Sequence, residues 1–274
     1  MNNRFQKFHL CFYYVLLLTV VSREVDCETR DTGWNAGDSQ NLVETGPCNL
    51  ERFTHSHLSQ REFLQRFAYS EPIVIIIGLD KNEKIRQATS RSALLKDFGH
   101  FNVTTSTANT YSYKKTSLLL SEYINSMHVP AQKGQQGNET MYLFGDIDPG
   151  EWDPLLRLYV SPPYNIPRTR GALSFGLAGP GTGVPFHFHG PGFAEVLHGR
   201  KRWFLYPPNA EPKFEPDRSS LQWLREIYPT LSRSQLPLEC TIGPGEIIYF
   251  PDRWWHSTLN VDTSVFISTF LGPL

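Results

Sequence analysis

Three of the chain's nine histidines have a spacing that suits metal chemistry. His187 and His189 lie two apart in Pro185-Phe186-His187-Phe188-His189-Gly190. On an extended segment, alternation puts both imidazoles on one face and Phe188 on the other. His256 closes the run Phe250-Pro251-Asp252-Arg253-Trp254-Trp255-His256. Two ligands from one strand and a third from a distant strand can hold a metal from one side of a barrel. Three imidazole nitrogens with open positions suit a catalytic metal. The spacing alone leaves a second reading open, in which the pair are barrel histidines satisfied by hydrogen bonds.

Elements that could position these side chains are visible in the hydrophobic pattern. From Gly171 onward, short alternating stretches are separated by Gly/Pro turns, at 172–177, 185–189, 194–198, 202–206, 246–250 and 265–270. That density of short strands indicates a sandwich or barrel. The segment before it carries helical periodicity at 58–67, 90–98 and 118–127, with a short fourth helix at 153–158. Ser90 is the expected N-cap of the second helix and Thr116-Ser117 that of the third. Pro72 ends the first helix, and the apolar run 73–77 reads as a buried strand. Residues 209–235 form an insertion between strands, with a short helix at 221–228. Helices first and strands later give an α+β chain, mainly β, with helices packed on a barrel core. The expected division is a signal peptide at 1–27, a mobile polar lead-in at 28–57, and one domain at 58–271. Within that domain, 58–160 is the helical part and 171–271 the barrel core.

Composition narrows the function classes. The 274 residues carry 26 Lys+Arg against 27 Asp+Glu, so no basic excess exists to drive nucleic-acid binding through phosphate contacts. With 13% aromatic residues, intrinsic disorder does not describe the chain. Arg4 and Lys7 precede an apolar run at 10–21, too short to span about 30 Å of hydrocarbon. This is the pattern of a secretory signal peptide, with cleavage after Ser22 or Cys27. No later apolar run is long enough to span a membrane. The expected address is the endoplasmic-reticulum lumen or, alternatively, secretion, because Leu271-Gly272-Pro273-Leu274 is not a retention signal of the KDEL type. Sequons at Asn102 and Asn138 agree with that route. Cleavage after Cys27 would leave Cys48 and Cys240 as a candidate disulfide, whereas cleavage after Ser22 leaves three cysteines and an ambiguous pairing.

The histidine motif also sits in a wider context. Gly181-Thr182-Gly183-Val184-Pro185-Phe186-His187-Phe188-His189, Gly199-Arg200-Lys201-Arg202-Trp203 and Tyr206-Pro207-Pro208 resemble the first half of a JmjC (jumonji C) domain. Pro244-Gly245-Glu246-Ile247-Ile248-Tyr249-Phe250-Pro251, Trp254-Trp255-His256 and Asn260 resemble its second half. The resemblance covers roughly 58–271 and is strongest toward the family's small lumenal members. It implies a cupin-like double-stranded β-helix with N-terminal helices. It also implies iron(II) and 2-oxoglutarate as cofactors, and hydroxylation or demethylation of a protein. Carried over, His187 and His256 are metal ligands, and Lys201 pairs with the distal carboxylate of 2-oxoglutarate.

Two positions depart from the family pattern. His189 stands where the family has a carboxylate ligand, which leaves a less anionic three-histidine set for iron or zinc. Val184 stands where the family has a hydroxyl that helps hold 2-oxoglutarate, and Thr182 is in the wrong register to replace it. Together they favour a degenerate site and a non-catalytic binding or regulatory protein, whose site binds no cofactor at all in the extreme case. The alternative is an active oxygenase with an unusual three-histidine metal site. Either reading implies a protein partner or substrate in the secretory pathway, not chromatin. Glu195 reads as a strand-end or surface acid, although it shares strand parity with Lys201. Trp203, Tyr249, Phe250 and Trp255 read as core and rim.

Overall fold

Arg52–Thr54 (β1) brings the chain into the fold and runs parallel to Ile73–Ile76 (β2). Between them lies α1 (Gln60–Arg66). Ser59 caps this helix, its hydroxyl accepting from Glu62 N at 3.1 Å, which satisfies a donor that the first turn leaves open. Phe63 and Phe67 come to one side and pack on Ile73, Ile75, Phe193 and Tyr249. Pro72 then stops the helix. The β-branched run that follows suits a strand covered on both faces, and Ile73, Val74 and Ile75 are fully buried. The computed structural model describes residues 32–34, 45–108, 114–127, 141–145 and 148–274. The expected signal peptide and Asn138 lie outside these residues.

The stretch 58–160, expected to be helical, also holds strands. After α2 (Glu83–Ala88) and α3 (Arg91–Phe98) come β3 (Asn102–Thr107) and β4 (Lys115–Leu119), an antiparallel pair. Threonine and serine dominate β3, and the alternating burial of that strand reflects a half-covered sheet rather than a helix face. Pairing with β3 takes Thr116 and Ser117 out of their expected capping role. The helix α4 (Leu120–Ser126) starts later, and Glu122 reaches back to accept from Leu119 N at 3.0 Å. Ser90 does sit before α3, but its hydroxyl bonds to Gln87 O instead of capping. Next come β5 (Met141–Phe144) and α5 (Pro149–Leu156). The last begins earlier than expected because the Asp148 carboxylate accepts from Gly150 N and Glu151 N at 2.7 and 3.1 Å.

The remaining elements close the barrel: β6 (Thr169–Ala178), β7 (Gly192–His198), β8 (Lys201–Tyr206), α6 (Ser220–Glu226), β9 (Leu238–Ile242), β10 (Glu246–Phe250), β11 (Trp255–Asn260) and β12 (Ser264–Pro273). One sheet runs β1-β2-β10-β7-β12-β6-β5-β3-β4, and a smaller one runs β11-β8-β9. Residues 182–187 extend the small sheet along β11. Asn260 N donates to Thr182 O at 2.7 Å and Thr258 N to Val184 O at 2.9 Å. His187 and His256 exchange backbone bonds of 3.1 and 2.9 Å. Gly183 allows this close approach, because a Cβ there would lie 1.8 Å from Thr258 O. The two facing walls make a cupin-like double-stranded β-helix, an α+β fold that is mainly β.

Side chains from both walls fill part of the space between them. Val74, Ala194, Val196 and Ile248 of the large sheet meet Trp203 and Leu205 of the small one. Helices cover the outer face of the large sheet, where Trp152, Leu94 and Phe98 pack with Phe175, Leu177 and Ile267. The insertion at 209–235 covers the outer face of the small sheet through Leu221 and Trp223, packed against Phe186 and Phe204. Burying one such aromatic contributes roughly 1.5–3 kcal/mol.

Described parts of the expected mobile lead-in are integrated in the fold. Trp34 is buried and its Nε1 donates to Thr89 O at 2.9 Å. Asn49 exchanges backbone and side-chain bonds with β9, and Cys48 is disulfide-bonded to Cys240 on that strand. Polar composition concealed these anchors, which consist of single residues rather than a periodic face. Among the described residues, no helix is long and apolar enough to cross a membrane.

Candidate functional site

Strand alternation aims His256, Thr258 and Asn260 of β11 into the barrel, together with Lys201 and Trp203 of β8. His187 lies directly across from His256. His189 follows on the same face, while Phe188 turns outward to stack edge-on against Trp255 at 4.7 Å. One ring nitrogen from each of His187, His189 and His256 falls within 4.8 Å of the others. The Nδ1 atoms lie next to carbonyl oxygens: Pro185 O at 2.8 Å, Gly190 O at 2.7 Å and Trp254 O at 2.9 Å. A carbonyl can only accept, so each Nδ1 carries the proton. The three Nε2 lone pairs are thereby left for a common ligand, as in metal-binding histidines whose other ring nitrogen donates to a carbonyl.

Burial keeps these imidazoles neutral. It pushes His187 down to about 4 and lowers His189. His256 falls well below its ordinary value through burial and through its two histidine neighbours. Phe250 stacks on His256 at 4.3 Å, and Phe270 lies 5.0 Å from His189. The turn before β11 places Arg253 in the left-handed region, at φ 61°, with its N–H on His189 O at 2.9 Å. A non-glycine residue there is strained, and the turn it makes ties the two halves of the histidine group together. The set fits a divalent metal of the iron or zinc kind: three neutral nitrogen donors, already oriented, with open positions.

At the other end of the same interior lies Lys201, 2% exposed. Its Nζ donates to Tyr142 OH at 2.8 Å and to Asn260 Oδ1 at 3.1 Å, and sits 4.1 Å above the Phe266 ring. Among the described residues its partners are all neutral, and burial lowers its pKa well below that of an ordinary lysine. Thr182 is one step further back, its hydroxyl accepting from Asn260 Nδ2 at 3.0 Å. Between the two ends, Ser174 and Ser268 face each other on β6 and β12. The Ser174 hydroxyl is buried with no hydrogen-bond partner. An ammonium without a counter-charge and an orphaned hydroxyl, both inside one barrel, fit a polar anionic ligand lying between lysine and histidines.

The other candidate residues are placed as follows. Val184 packs at the edge of the cluster of Tyr142, Ala178 and Phe266, beside the lysine. Glu195 is neither at the surface nor in the site. It is fully buried on the opposite, helix-covered face of β7, where Asn82 Nδ2 donates to it at 2.7 Å. Its strand neighbours Ile247 and Ile267 belong to the clusters under the helices, which fixes that face. Asn102 is exposed at the start of β3. Trp203, Tyr249 and Phe250 are buried and Trp255 is half-buried. Sequence reasoning missed Tyr142. Its only signal was parity with Phe144 in a short apolar stretch, 59 residues before the lysine it touches. A cavity of about 400 Å³ opens beside His187, walled by Phe188, Phe214, Trp255 and two prolines, with Glu211 at its edge.

Comparison with known proteins places this geometry. A cupin-like domain family matches residues 182–270, the span from Thr182 to the last barrel strand. The chain is 52% identical over 243 residues to the JmjC domain-containing protein 8 of Rattus norvegicus, covering 88% of this chain and 89% of that protein. Against the Homo sapiens protein of the same name it is 51% identical over 242 residues, covering 88% and 90%. A shorter match, 30% identical over 99 residues, covers 32% of this chain and 23% of a Gallus gallus protein named 2-oxoglutarate and iron-dependent oxygenase JMJD4.

Proposed function

The chain belongs to the JmjC domain-containing protein 8 family, and from that premise we propose that it is a lumenal protein hydroxylase dependent on iron(II) and 2-oxoglutarate, with a three-histidine metal site. One observation carries this reading: among the described residues Lys201 is buried beside only neutral partners, in the same interior as three converging histidines. An unneutralised buried ammonium costs several kcal/mol. A barrel that bound nothing would be more stable with an apolar side chain there. A carboxylate arriving from outside removes the cost. Bound together, iron(II) and 2-oxoglutarate would activate dioxygen as the oxidant, one oxygen atom going to the hydroxylated substrate and the other to the succinate formed as 2-oxoglutarate loses CO2.

The chain's own residues then have separable tasks. His187, His189 and His256 hold the metal. Lys201, Tyr142 and Asn260 hold the far carboxylate of 2-oxoglutarate. Trp203, Phe250 and Phe270 keep water from the interior. A lumenal address is supported by the signal-like segment at 1–27, the exposed sequon residue Asn102 and the Cys48–Cys240 disulfide, which suits an oxidising compartment.

A second reading rests on two residues. His189 in place of a carboxylate leaves a bound divalent ion with its charge uncompensated, and Val184 offers no hydroxyl. On that reading the protein is a non-catalytic binder acting through its surface. Elemental analysis of the mature protein from a secretory host, with calorimetric titration of 2-oxoglutarate, separates the two. The oxygenase reading expects iron near one per chain and 2-oxoglutarate binding that is lost in Lys201→Ala. A folded protein that takes up neither metal nor 2-oxoglutarate sinks it and leaves the surface binder.

A further inference from the structure

Val184 removes a hydroxyl from the wall beside Lys201, and the strand next to it supplies one. Thr258 lies on β11 two residues after His256, and its side chain faces the same interior. Its backbone N–H donates to Val184 O at 2.9 Å, and its own hydroxyl oxygen accepts from Val184 N at 3.2 Å. The two residues are therefore locked together, side by side, on the wall that contains Lys201 and Asn260.

That pairing leaves the Thr258 proton for the interior of the barrel. A hydroxyl has one proton to give. Its oxygen accepts from Val184 N, so the proton is left for a partner in the interior, where the phenol oxygen of Tyr142 lies beside it. Tyr142 is the residue that receives Lys201 Nζ at 2.8 Å. Thr258 is 4% exposed, so its hydroxyl does not serve bulk solvent. Val184 packs its methyl groups against the same cluster, closing the side of the chamber where a hydroxyl at 184 would have stood.

We propose that Thr258 is the hydroxyl donor for the ligand carboxylate held by Lys201, taking over from the neighbouring strand the role that Val184 cannot perform. The inference rests on the 2-oxoglutarate reading above and refines it. The carboxylate end would be gripped by one ammonium and two hydroxyls, those of Tyr142 and Thr258, with Asn260 orienting the lysine. A site that looks incomplete at position 184 is then complete.

The test is calorimetric titration of 2-oxoglutarate into the full mature chain loaded with Mn²⁺, a probe that does not turn over. Melting curves of each variant establish that it is folded. Thr258→Val should weaken binding at least tenfold, as loss of a charge-assisted hydrogen bond does. Thr258→Ser should stay within threefold of the parent. Val184→Thr in the Thr258→Val background should recover most of the loss. Val184→Thr alone should change affinity less than threefold, because the donor position is already served. A folded Thr258→Val that binds like the parent overturns the assignment and leaves the 2-oxoglutarate reading standing. A tenfold gain in Val184→Thr alone overturns it too, and does not depend on Thr258→Val folding. A parent protein that binds no 2-oxoglutarate overturns the underlying reading and this inference with it.

Discussion

Glu195 and Lys201 are buried charged residues six positions apart, on the two strands that flank one turn, yet they face opposite environments. Glu195 lies under the helices. Asn82 donates to it at 2.7 Å, Arg86 stands 3.9 Å away, and the Tyr159 hydroxyl faces it. Asn82 in turn bonds Val160 N and O, so the acid ties the start of α2 and the segment after α5 to the sheet. Lys201 lies inside the barrel with two neutral oxygens and an aromatic face. The acid finds a cationic neighbour, whereas among the described residues the lysine has no anionic one. A buried charge that the fold itself compensates is part of the structure, and one that it leaves uncompensated is a position for a ligand.

Breaking each group should therefore give opposite results. Glu195→Leu strands the Arg86 guanidinium and the Asn82 amide in a closed space. Denaturant unfolding should report a loss of about 3–5 kcal/mol, the usual cost of removing one partner of a buried pair. In whatever fraction stays folded, 2-oxoglutarate affinity should be within threefold of the parent. Lys201→Met should do the reverse. Its stability in denaturant should equal or exceed that of the parent, because an uncompensated charge has gone. Its 2-oxoglutarate affinity should fall at least 100-fold, about 2.7 kcal/mol. A Lys201→Met protein several kcal/mol less stable than the parent would show that the lysine is structural after all, and the contrast would collapse.

The two residues were also unequally legible in the sequence. Lys201 stands in a local motif, Gly199-Arg200-Lys201-Arg202-Trp203, and the strand's period of two predicts its direction. The histidines were legible for the same reason: the HxH spacing carries its own geometry. Glu195 shares that parity, but parity counted across the turn at Gly199-Arg200 does not survive. The turn moves the chain to the other sheet, so the same count lands on the opposite face. Its partner Asn82 lies 113 residues away and begins a helix too short to show periodicity. Tyr142 was hidden similarly, by a sequence separation that only folding closes. The barrel strands from 171 onward were largely visible, but β9 and β11 were not. β11 is interrupted in character by Ser257 and Thr258, polar residues buried under α6 on one face and against the opposite wall on the other. The threonine-rich β3 pairs with β4 and β5, the next strands in the chain, and no apolar alternation marked β3 or β4 as sheet.

Proton linkage offers a finer test of the compensated site, and its sign is opposite to that of most native carboxylates. Burial raises the Glu195 carboxyl to about 7, with Tyr159, Asn82, Arg86 and Lys81 acting against that rise. Its folded-state value thus exceeds the ordinary glutamate value of about 4.3. Between those values the folded chain binds the extra proton, so this group's contribution to stability is full below about pH 4 and is lost as pH rises through about 7. The histidines oppose it. His187 and His198 are each held down to about 4 by burial, so they favour the folded state increasingly as pH rises through the same range. The total profile therefore mixes two signs, and the useful quantity is the difference between the parent and Glu195→Gln. Glutamine keeps an acceptor for Asn82 and removes the titration. On going from pH 7.5 to pH 5, the parent should gain about 2 kcal/mol relative to the variant. Equal pH profiles for the two proteins would mean that Glu195 titrates like an ordinary surface acid. The helix-covered face would then be hydrated around it, and Glu195 would no longer stand as the compensated counterpart of Lys201.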